Sequence, residues 1–123
     1  MATSYLTQTL GSAPTLGTKC TVSFWVKRSG ISAWDNGAVL GGYSNASGTN
    51  NDNFQIGFNN NDQFYCWGQS GSSTEYNLES SRVAKDISGW YHVCWILDST
   101  EGSSSDRVKL YVNGTQVTNW SAS

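Results

Sequence analysis

The clearest pattern along the chain is a strict alternation of apolar and polar residues. It is strongest in residues 20–27, where every second side chain is apolar. Successive side chains of a β-strand point to opposite faces, so this period of two predicts a strand with one face toward the core. The expected core-facing side chains are Cys20, Val22, Phe24 and Val26, and the expected outward ones are Thr21, Ser23, Trp25 and Lys27.

Shorter stretches of the same kind recur along the whole chain, separated by Gly, Asn, Asp and Ser. Two separators are specific turn signals. Residues 59–62 are Asn-Asn-Asn-Asp, which tolerate left-handed backbone angles. Asn113 followed by Gly114 is typical of a type I′ hairpin turn. The pattern predicts further strands at residues 5–10, 38–43, 53–58, 63–67, 75–80, 107–112 and 115–117, with polar loops at 28–37, 44–52, 68–74 and 98–106.

Residues 90–97 differ from the rest because they are apolar at both alternating sets of positions. This indicates a central strand covered on both sides. No stretch repeats apolar residues at helical spacing, and no linker divides the chain. We therefore predict an all-β fold, an antiparallel β-sandwich formed by one domain over residues 1–123.

The amino-acid composition argues against two classes of partner, nucleic acids and membranes. Charged residues make up 13% of the chain and the net charge is −2, so no basic patch is available for nucleic acid. No apolar run is long enough for membrane insertion. The start of the chain, Met1 to Ser4, lacks the pattern of a signal peptide, so we expect synthesis in a cytoplasm without the standard export route.

The three cysteines are an odd number, and none of them has metal-ligand spacing. The favoured interpretation is that Cys20, Cys66 and Cys94 are reduced, buried thiols that act as small apolar side chains. A disulfide between Cys20 and Cys94 is the alternative, disfavoured by a cytosolic origin.

Three segments carry a family resemblance: residues 21–29 (TVSFWVKRS), 88–93 (SGWYHV) and 106–117 (DRVKLYVNGTQV). In sequence and order they resemble laminin-G-like, concanavalin A-like jelly-roll domains. Together with residues 5–10 (YLTQTL), they most resemble the form found in virion proteins of marine tailed bacteriophages, in tail fibres or other surface proteins. That resemblance implies a location in the virion and contacts with other virion subunits.

The sequence departs from the pattern of the family that it resembles in one respect. The family domain continues past the Asn113 hairpin with several more strands, whereas this sequence ends at Ser123. We therefore expect a jelly roll that is incomplete at its C-terminus, completed by another chain, by a longer parent protein, or existing as a reduced variant. Open sheet edges promote pairing with a neighbour, so a homo-oligomer is one expectation.

Catalytic residues are not expected. His92 is the single histidine and has no motif partner, so we interpret it as a hydrogen-bonded structural residue. Glycosidases of this fold carry two acids on one strand in a Glu-x-Asp-x-x-Glu motif. This chain has no such run, and Glu75, Glu79 and Glu101 are interpreted as surface charges.

Glycan binding would use exposed aromatic rings that stack on sugar faces. The candidates lie in or beside predicted loops: Trp34, Tyr43, Trp67, Tyr76 and Trp120. The tryptophans of the long strands are expected to pack in the core or against the sheet: Trp25, Trp90 and Trp95.

Calcium is the one candidate cofactor, since its ligands are carboxylate, amide and carbonyl oxygens. Three loop acids in Asn- and Gly-rich surroundings could supply them: Asp35, Asp52 and Asp62. The same residues are what turns are made of, and the turn interpretation is favoured over a metal site.

Three functions fit these features. The first is a non-catalytic structural or adhesion module of a tailed-phage virion, binding host-surface glycan or packing against other virion subunits. The second is a purely structural decoration or assembly domain of a capsid, without a ligand. The third is an accessory carbohydrate-binding module of a secreted glycosidase.

Overall fold

The computed structural model describes residues 18–31, 37–44 and 52–122 of the chain. These residues form nine β-strands and a single turn of 3₁₀ helix, Ser104–Asp106. The strands are β1 Lys19–Val26, β2 Gly37–Ser44, β3 Asp52–Phe58, β4 Gln63–Ser70, β5 Ser73–Val83, β6 Tyr91–Asp98, β7 Val108–Val112, β8 Thr115–Val117 and β9 Trp120–Ala122. The predicted strand at residues 5–10 lies outside the described residues.

The strands form two antiparallel sheets. One has the order β1-β6-β7-β8 and the other the order β2-β3-β4-β5-β9. The predicted all-β antiparallel sandwich is therefore confirmed. The chain moves from the four-stranded sheet to the five-stranded sheet after β1 and back again before β6, as expected when two sheets share one core.

The core lies between the sheets and is made of their alternating inward side chains. The four-stranded sheet contributes Val93, Trp95, Leu110, Val112 and Val117. The five-stranded sheet contributes Ile56, Phe58, Phe64 and Cys66. Of the expected inward side chains of β1, Val22, Phe24 and Val26 pack against this cluster, whereas Cys20 at the start of the strand is exposed.

Both predicted turns are present. Asp62 has a φ of 64°, Asn113 a φ of 52° and Gly114 a φ of 77°, so each sits in the left-handed region that the turn requires. Strand β8 also has the predicted bounds.

The loop predicted at residues 68–74 is wrong. Strand β4 continues to Ser70 and β5 begins at Ser73, joined by a tight turn in which Gly71 has a φ of 60°. Gly68, interpreted as a loop glycine, is a strand residue on the inner face, where the Tyr76 ring lies against its Cα. A Cβ there would come within 2.3 Å of that ring, so glycine makes room for the aromatic side chain.

Two further differences bear on function. Strand β6 is central, between β1 and β7, but only one of its faces is buried, because His92, Cys94 and Ile96 on the other face are half-exposed. Strand β9, which the sequence pattern did not predict, pairs with β5 in the five-stranded sheet.

Candidate ligand cavity between the sheets

A cavity of about 700 Å³ opens between the two sheets. The middle of β5 and the start of β9 line one side, and the start of β1, the end of β6 and the start of β7 line the other. Its apolar wall consists of Cys20, Tyr76, Leu78, Leu97, Val108 and Trp120. Its polar lining includes Lys19, Glu75, Asn77, Asp98, Ser99 and Arg107.

The two aromatic rings of the wall are fixed by packing. The Tyr76 ring lies over the bare Cα of Gly68 on the neighbouring strand. The Trp120 ring packs on the buried Trp95, with 6.1 Å between ring centroids and 32° between planes. Rings held in this way lose little conformational entropy when a ligand stacks on them.

The hydroxyl of Tyr76 stays protonated at neutral pH. Burial raises the pKa of Tyr76 to about 12, and the nearby Cys66 and Cys20 thiols add to the shift. The neutral phenol can donate one hydrogen bond and accept others, which suits an uncharged hydroxyl-bearing ligand.

Lys19 and Asp98 form an ion pair in the polar lining of the cavity. Lys19 Nζ lies 2.7 Å from Asp98 Oδ2, in a bridge between β1 and the end of β6. Hydrogen bonds donated by Lys19 and Thr100 lower the pKa of Asp98 to about 2, and the bond that Lys19 donates to Asp98 raises the pKa of Lys19. Both groups are therefore charged throughout the neutral range, and their charges compensate each other.

Two of the five predicted aromatic residues, Tyr76 and Trp120, line the cavity. Trp67 does not. Its neighbours on β4, Cys66 and Gly68, are on the inner face, so the half-buried Trp67 is on the outer face of the sheet. Tyr43 lies in β2 opposite Asn53. Trp34 falls outside the described residues.

The acids proposed for calcium are not brought together. Asp52 begins β3 and accepts hydrogen bonds from Ser70 Oγ and from the Gly71 backbone. Asp62 follows the turn at the other end of β3, roughly 20 Å away by strand rise. Its carboxylate is buried against Arg28, at 2.8 Å, rather than open to a cation.

Within residues 18–31, 37–44 and 52–122, no three His, Cys, Asp or Glu side chains cluster as metal ligands would. The calcium prediction is thus not supported by Asp52 and Asp62 together. Asp35 lies outside the described residues, and a site built on it stays a prediction.

His92 forms the kind of hydrogen bond predicted for it, whereas only one of the three thiols predicted to be buried is fully buried. His92 Nε2 hydrogen-bonds to Ser23 Oγ at 2.9 Å, which is the structural contact expected of it. Cys66 is buried, Cys94 is half-buried and Cys20 is exposed, and all three thiols are free.

A disulfide between Cys20 and Cys94 is not compatible with the sheet register. Cys20 is opposite Leu97, while Cys94 is opposite Ser23. The two cysteines are therefore three residues out of register and on opposite faces, roughly 10 Å apart along the strands. A disulfide needs Cα atoms about 4.4–6.8 Å apart.

Sequence reasoning missed most of the cavity's polar lining and both exposed strand tryptophans. Lys19 and Asp98 are 79 positions apart, so only the pairing of β1 with β6 joins them. Trp25 and Trp90 are exposed rather than packed in the core, although Trp95 is fully buried as predicted.

The arrangement combines rigid aromatic walls with neutral and charge-compensated hydrogen-bonding groups, as small polar ligands require. None of the described helices is long and apolar enough to cross a membrane. No curated relative and no solved structure matches the chain. The sequence profile described as the concanavalin A-like lectin/glucanases superfamily matches residues 2–122, nearly the whole sequence. The chain belongs to that superfamily, and its two antiparallel sheets are the sandwich which that membership predicts.

Proposed function

We propose that this domain is a non-catalytic glycan-binding module on the surface of a tailed-phage virion, with the cavity between the sheets as its binding site. The observation that carries the proposal is the position of Tyr76 and Trp120 in one cavity of about 700 Å³. That volume falls in the range of sites for small ligands.

Binding would divide between the two kinds of lining. The C–H faces of a sugar ring would stack on Tyr76 or Trp120, and its hydroxyls would exchange hydrogen bonds with groups such as Asn77, Ser99 and Arg107. The lining contains two positively charged residues, Lys19 and Arg107, and two negatively charged residues, Glu75 and Asp98. Their formal charges sum to zero, which favours a neutral glycan over a polyanion.

The placement of the acids supports binding without hydrolysis. Two acids line the cavity, Glu75 and Asp98, but the Asp98 carboxylate is already bonded to Lys19 and Thr100. Glu79 is opposite Tyr65, which lies outside the core cluster between the inward Phe64 and Cys66, so it is no partner for Glu75 in the cavity. The two glutamates are four residues apart on β5, about 13 Å by strand rise. Glycoside hydrolysis needs two carboxyl groups about 5–9.5 Å apart across the scissile bond.

The virion setting rests on the resemblance of residues 5–10, together with residues 21–29, 88–93 and 106–117, to phage surface proteins. The structure describes the last three of these segments. They include most of β1, the start of β6 and the β7–β8 hairpin, so they contribute to every strand of the four-stranded sheet. Host-surface glycan and other virion subunits are the partners that this setting supplies.

The test is a screen of the purified domain against neutral and acidic bacterial polysaccharides, followed by calorimetry on any glycan that binds. Tyr76→Ala and Trp120→Ala should each weaken binding at least tenfold. Trp67→Ala is the matched control, because Trp67 is a half-buried tryptophan on the outer face. This variant should bind the glycan with the affinity of the wild type. Circular dichroism confirms that each variant is folded.

Two results would overturn the proposal. One is binding that survives both cavity substitutions. The other is release of reducing sugar from the bound glycan that Glu75→Gln abolishes, which would make the domain an enzyme.

Assembly is a second candidate function, favoured by the edge strand β2. Within the described residues β2 ends the five-stranded sheet, and its Val39 and Leu40 are 43% and 39% exposed. Apolar side chains on an open edge are a template for pairing with another chain. Light scattering decides between a monomer and an oligomer, and Val39→Lys should dissociate an oligomer formed through this edge.

A further inference from the structure

The outer face of the four-stranded sheet carries the two most exposed large apolar side chains of the described residues. Trp25 on β1 is 65% exposed and Trp90, just before β6, is 60% exposed. Tryptophan is normally well buried, so two such rings on the surface call for an explanation. Neither ring lines the cavity between the sheets.

The register places both rings on the same face. Trp25 is directly opposite His92 on the neighbouring strand. Tyr91 is buried toward the core, so Trp90 and His92 on either side of it point outward. Trp90 immediately precedes the paired end of β6 at Tyr91. When the register is extended by that one residue, Trp90 becomes the diagonal neighbour of Trp25, and diagonal neighbours lie about 7–8 Å apart, within reach of aromatic side chains.

The Trp25 ring is held in position from the sheet side. Its centroid lies 5.0 Å from that of His92, with 42° between the ring planes. The His92 ring is itself anchored by the Ser23 hydroxyl at 2.9 Å. The indole is thus supported on one side and open on the other, as in a preformed stacking surface.

The neighbouring row of the same face is uncharged. Ser23, Cys94, Tyr111 and Gln116 lie side by side across the four strands. Tyr111 Oη and Gln116 Oε1 are 3.4 Å apart, so a phenol and an amide lie on the same face, two and three strands away from Trp25. A sugar chain that extends from the rings across the sheet would meet these hydroxyl and amide groups, and sugars present both C–H faces and hydroxyls.

The area of the two rings favours a glycan over a protein partner. A tryptophan buries about 150–250 Å² when covered, so the exposed fractions of the two rings amount to roughly 200–300 Å². That area matches a flat ligand of one or two sugar units. A stable protein interface needs about 800 Å² from each partner, so a second copy of this chain would also have to cover the polar row of Ser23, Cys94, Tyr111 and Gln116.

We propose that Trp25 and Trp90 form a second glycan-contact surface, which takes the apolar faces of a neutral polysaccharide chain independently of the cavity. The surface is flat and open, so it fits an extended or insoluble polymer, whereas the cavity encloses a short segment or a chain end.

The experiment is retention of the full domain on insoluble neutral polysaccharides, with microcrystalline cellulose and chitin as probes. The wild type should be retained, Trp25→Ala and Trp90→Ala should each lower the apparent affinity several-fold, and the double variant should lower it at least tenfold. Trp67→Ala is the control for loss of a tryptophan elsewhere. Removing exposed rings should leave the melting temperature nearly unchanged, and so separates loss of binding from loss of fold.

The outcome is distinguishable from that for the cavity. Tyr76→Ala should leave retention on the insoluble polymers intact while it weakens binding of soluble glycan. Wild-type domain that is not retained on either polymer, or a double variant that is retained as well as the wild type, would refute the second surface. A concentration-dependent dimer that the double variant abolishes, without retention of the wild type, would assign the face to self-association instead.

Discussion

Arg28 and Asp62 form a buried ion pair that joins the two halves of the domain. Arg28 Nη1 lies 2.8 Å from Asp62 Oδ1, and the two side chains are 6% and 2% exposed. Arg28 Nη1 also donates to the Ala84 carbonyl at 2.7 Å, and the guanidinium lies 4.7 Å from the Phe58 ring centroid. Arg28 follows β1 of one sheet and Asp62 precedes β4 of the other, so the pair connects them.

Replacing Asp62 with Asn should destabilise the domain by about 3–5 kcal/mol, because it leaves the buried Arg28 charge without its counter-ion. Urea unfolding followed by tryptophan fluorescence measures the change. Asp106→Asn, at an exposed position, should stay within about 0.5 kcal/mol of the wild type. A loss below 1 kcal/mol for Asp62→Asn would show that the pair contributes little. If calcium stabilises the wild type and the Asp62→Asn substitution removes that stabilisation, Asp62 would be a calcium ligand after all.

Most strands and two of the hairpin turns are predictable from the sequence, because both depend on neighbours in the chain; the β4–β5 turn and β9 are not. Alternation located β1, and the Asn113–Gly114 pair located the β7–β8 hairpin. The same alternation placed Trp25 on the outward face. Trp25 is 65% exposed, as that outward position predicts, and its ring lies against His92 of the neighbouring strand rather than in the core.

The candidate site was only partly predictable, because its members come from different parts of the chain. Tyr76 and Trp120 were identified by residue type, yet nothing local shows that they share a cavity or that Trp67 does not. The sequence predicts the turn at Asp62, but it offers only calcium as a partner for the carboxylate. Its actual partner, Arg28, is 34 positions away, and only the packing of the two sheets brings them together.

Gly68→Ala should damage both stability and the cavity. A Cβ at Gly68 would lie 2.3 Å from Tyr76 Cζ, so the ring that forms the cavity wall has to move. Overpacking of this kind costs about 1–3 kcal/mol, and affinity for a cavity ligand should fall with it. Gly102→Ala is the control, because a Cβ there meets no atom within 4 Å.

A double-mutant cycle tests the cause of that loss. In a Tyr76→Ala background the clash is absent, so Gly68→Ala should cost less than it does in the wild type. Equal costs in the two backgrounds would mean that the glycine is needed for a reason other than room for the ring.

The three thiols should react with Ellman's reagent at pH 8 in a graded order. Cys20 is exposed and should react within minutes, and Cys94 is half-buried and should react more slowly. Cys66 should react only on unfolding, because it is buried and burial raises the pKa of its thiol to about 12. Fewer than three thiols in the unfolded, unreduced protein would reveal a disulfide. Since Cys20 also lines the cavity, a cavity ligand should slow its reaction and leave that of Cys94 unchanged.

The acid side of the stability profile should depend on the Lys19–Asp98 pair. Hydrogen bonds from Lys19 and Thr100 lower the pKa of Asp98 from 3.8 to about 2. A lowered carboxyl pKa stabilises the folded state above the unfolded value and loses that contribution as the carboxylate is protonated. The Asp98 contribution is therefore complete above about pH 4 and disappears as the pH falls toward 2.

Melting temperatures measured from pH 5 to pH 2 test this dependence. Asp98→Asn should flatten the fall between pH 4 and pH 2, and Lys19→Gln should flatten it partly, since Thr100 still bonds the carboxylate. Some slope should remain in both variants, because hydrogen bonds from Ser88 also lower the pKa of Asp86. An Asp98→Asn curve parallel to that of the wild type over this interval would show that the pair, although formed, does not couple the protonation of Asp98 to folding.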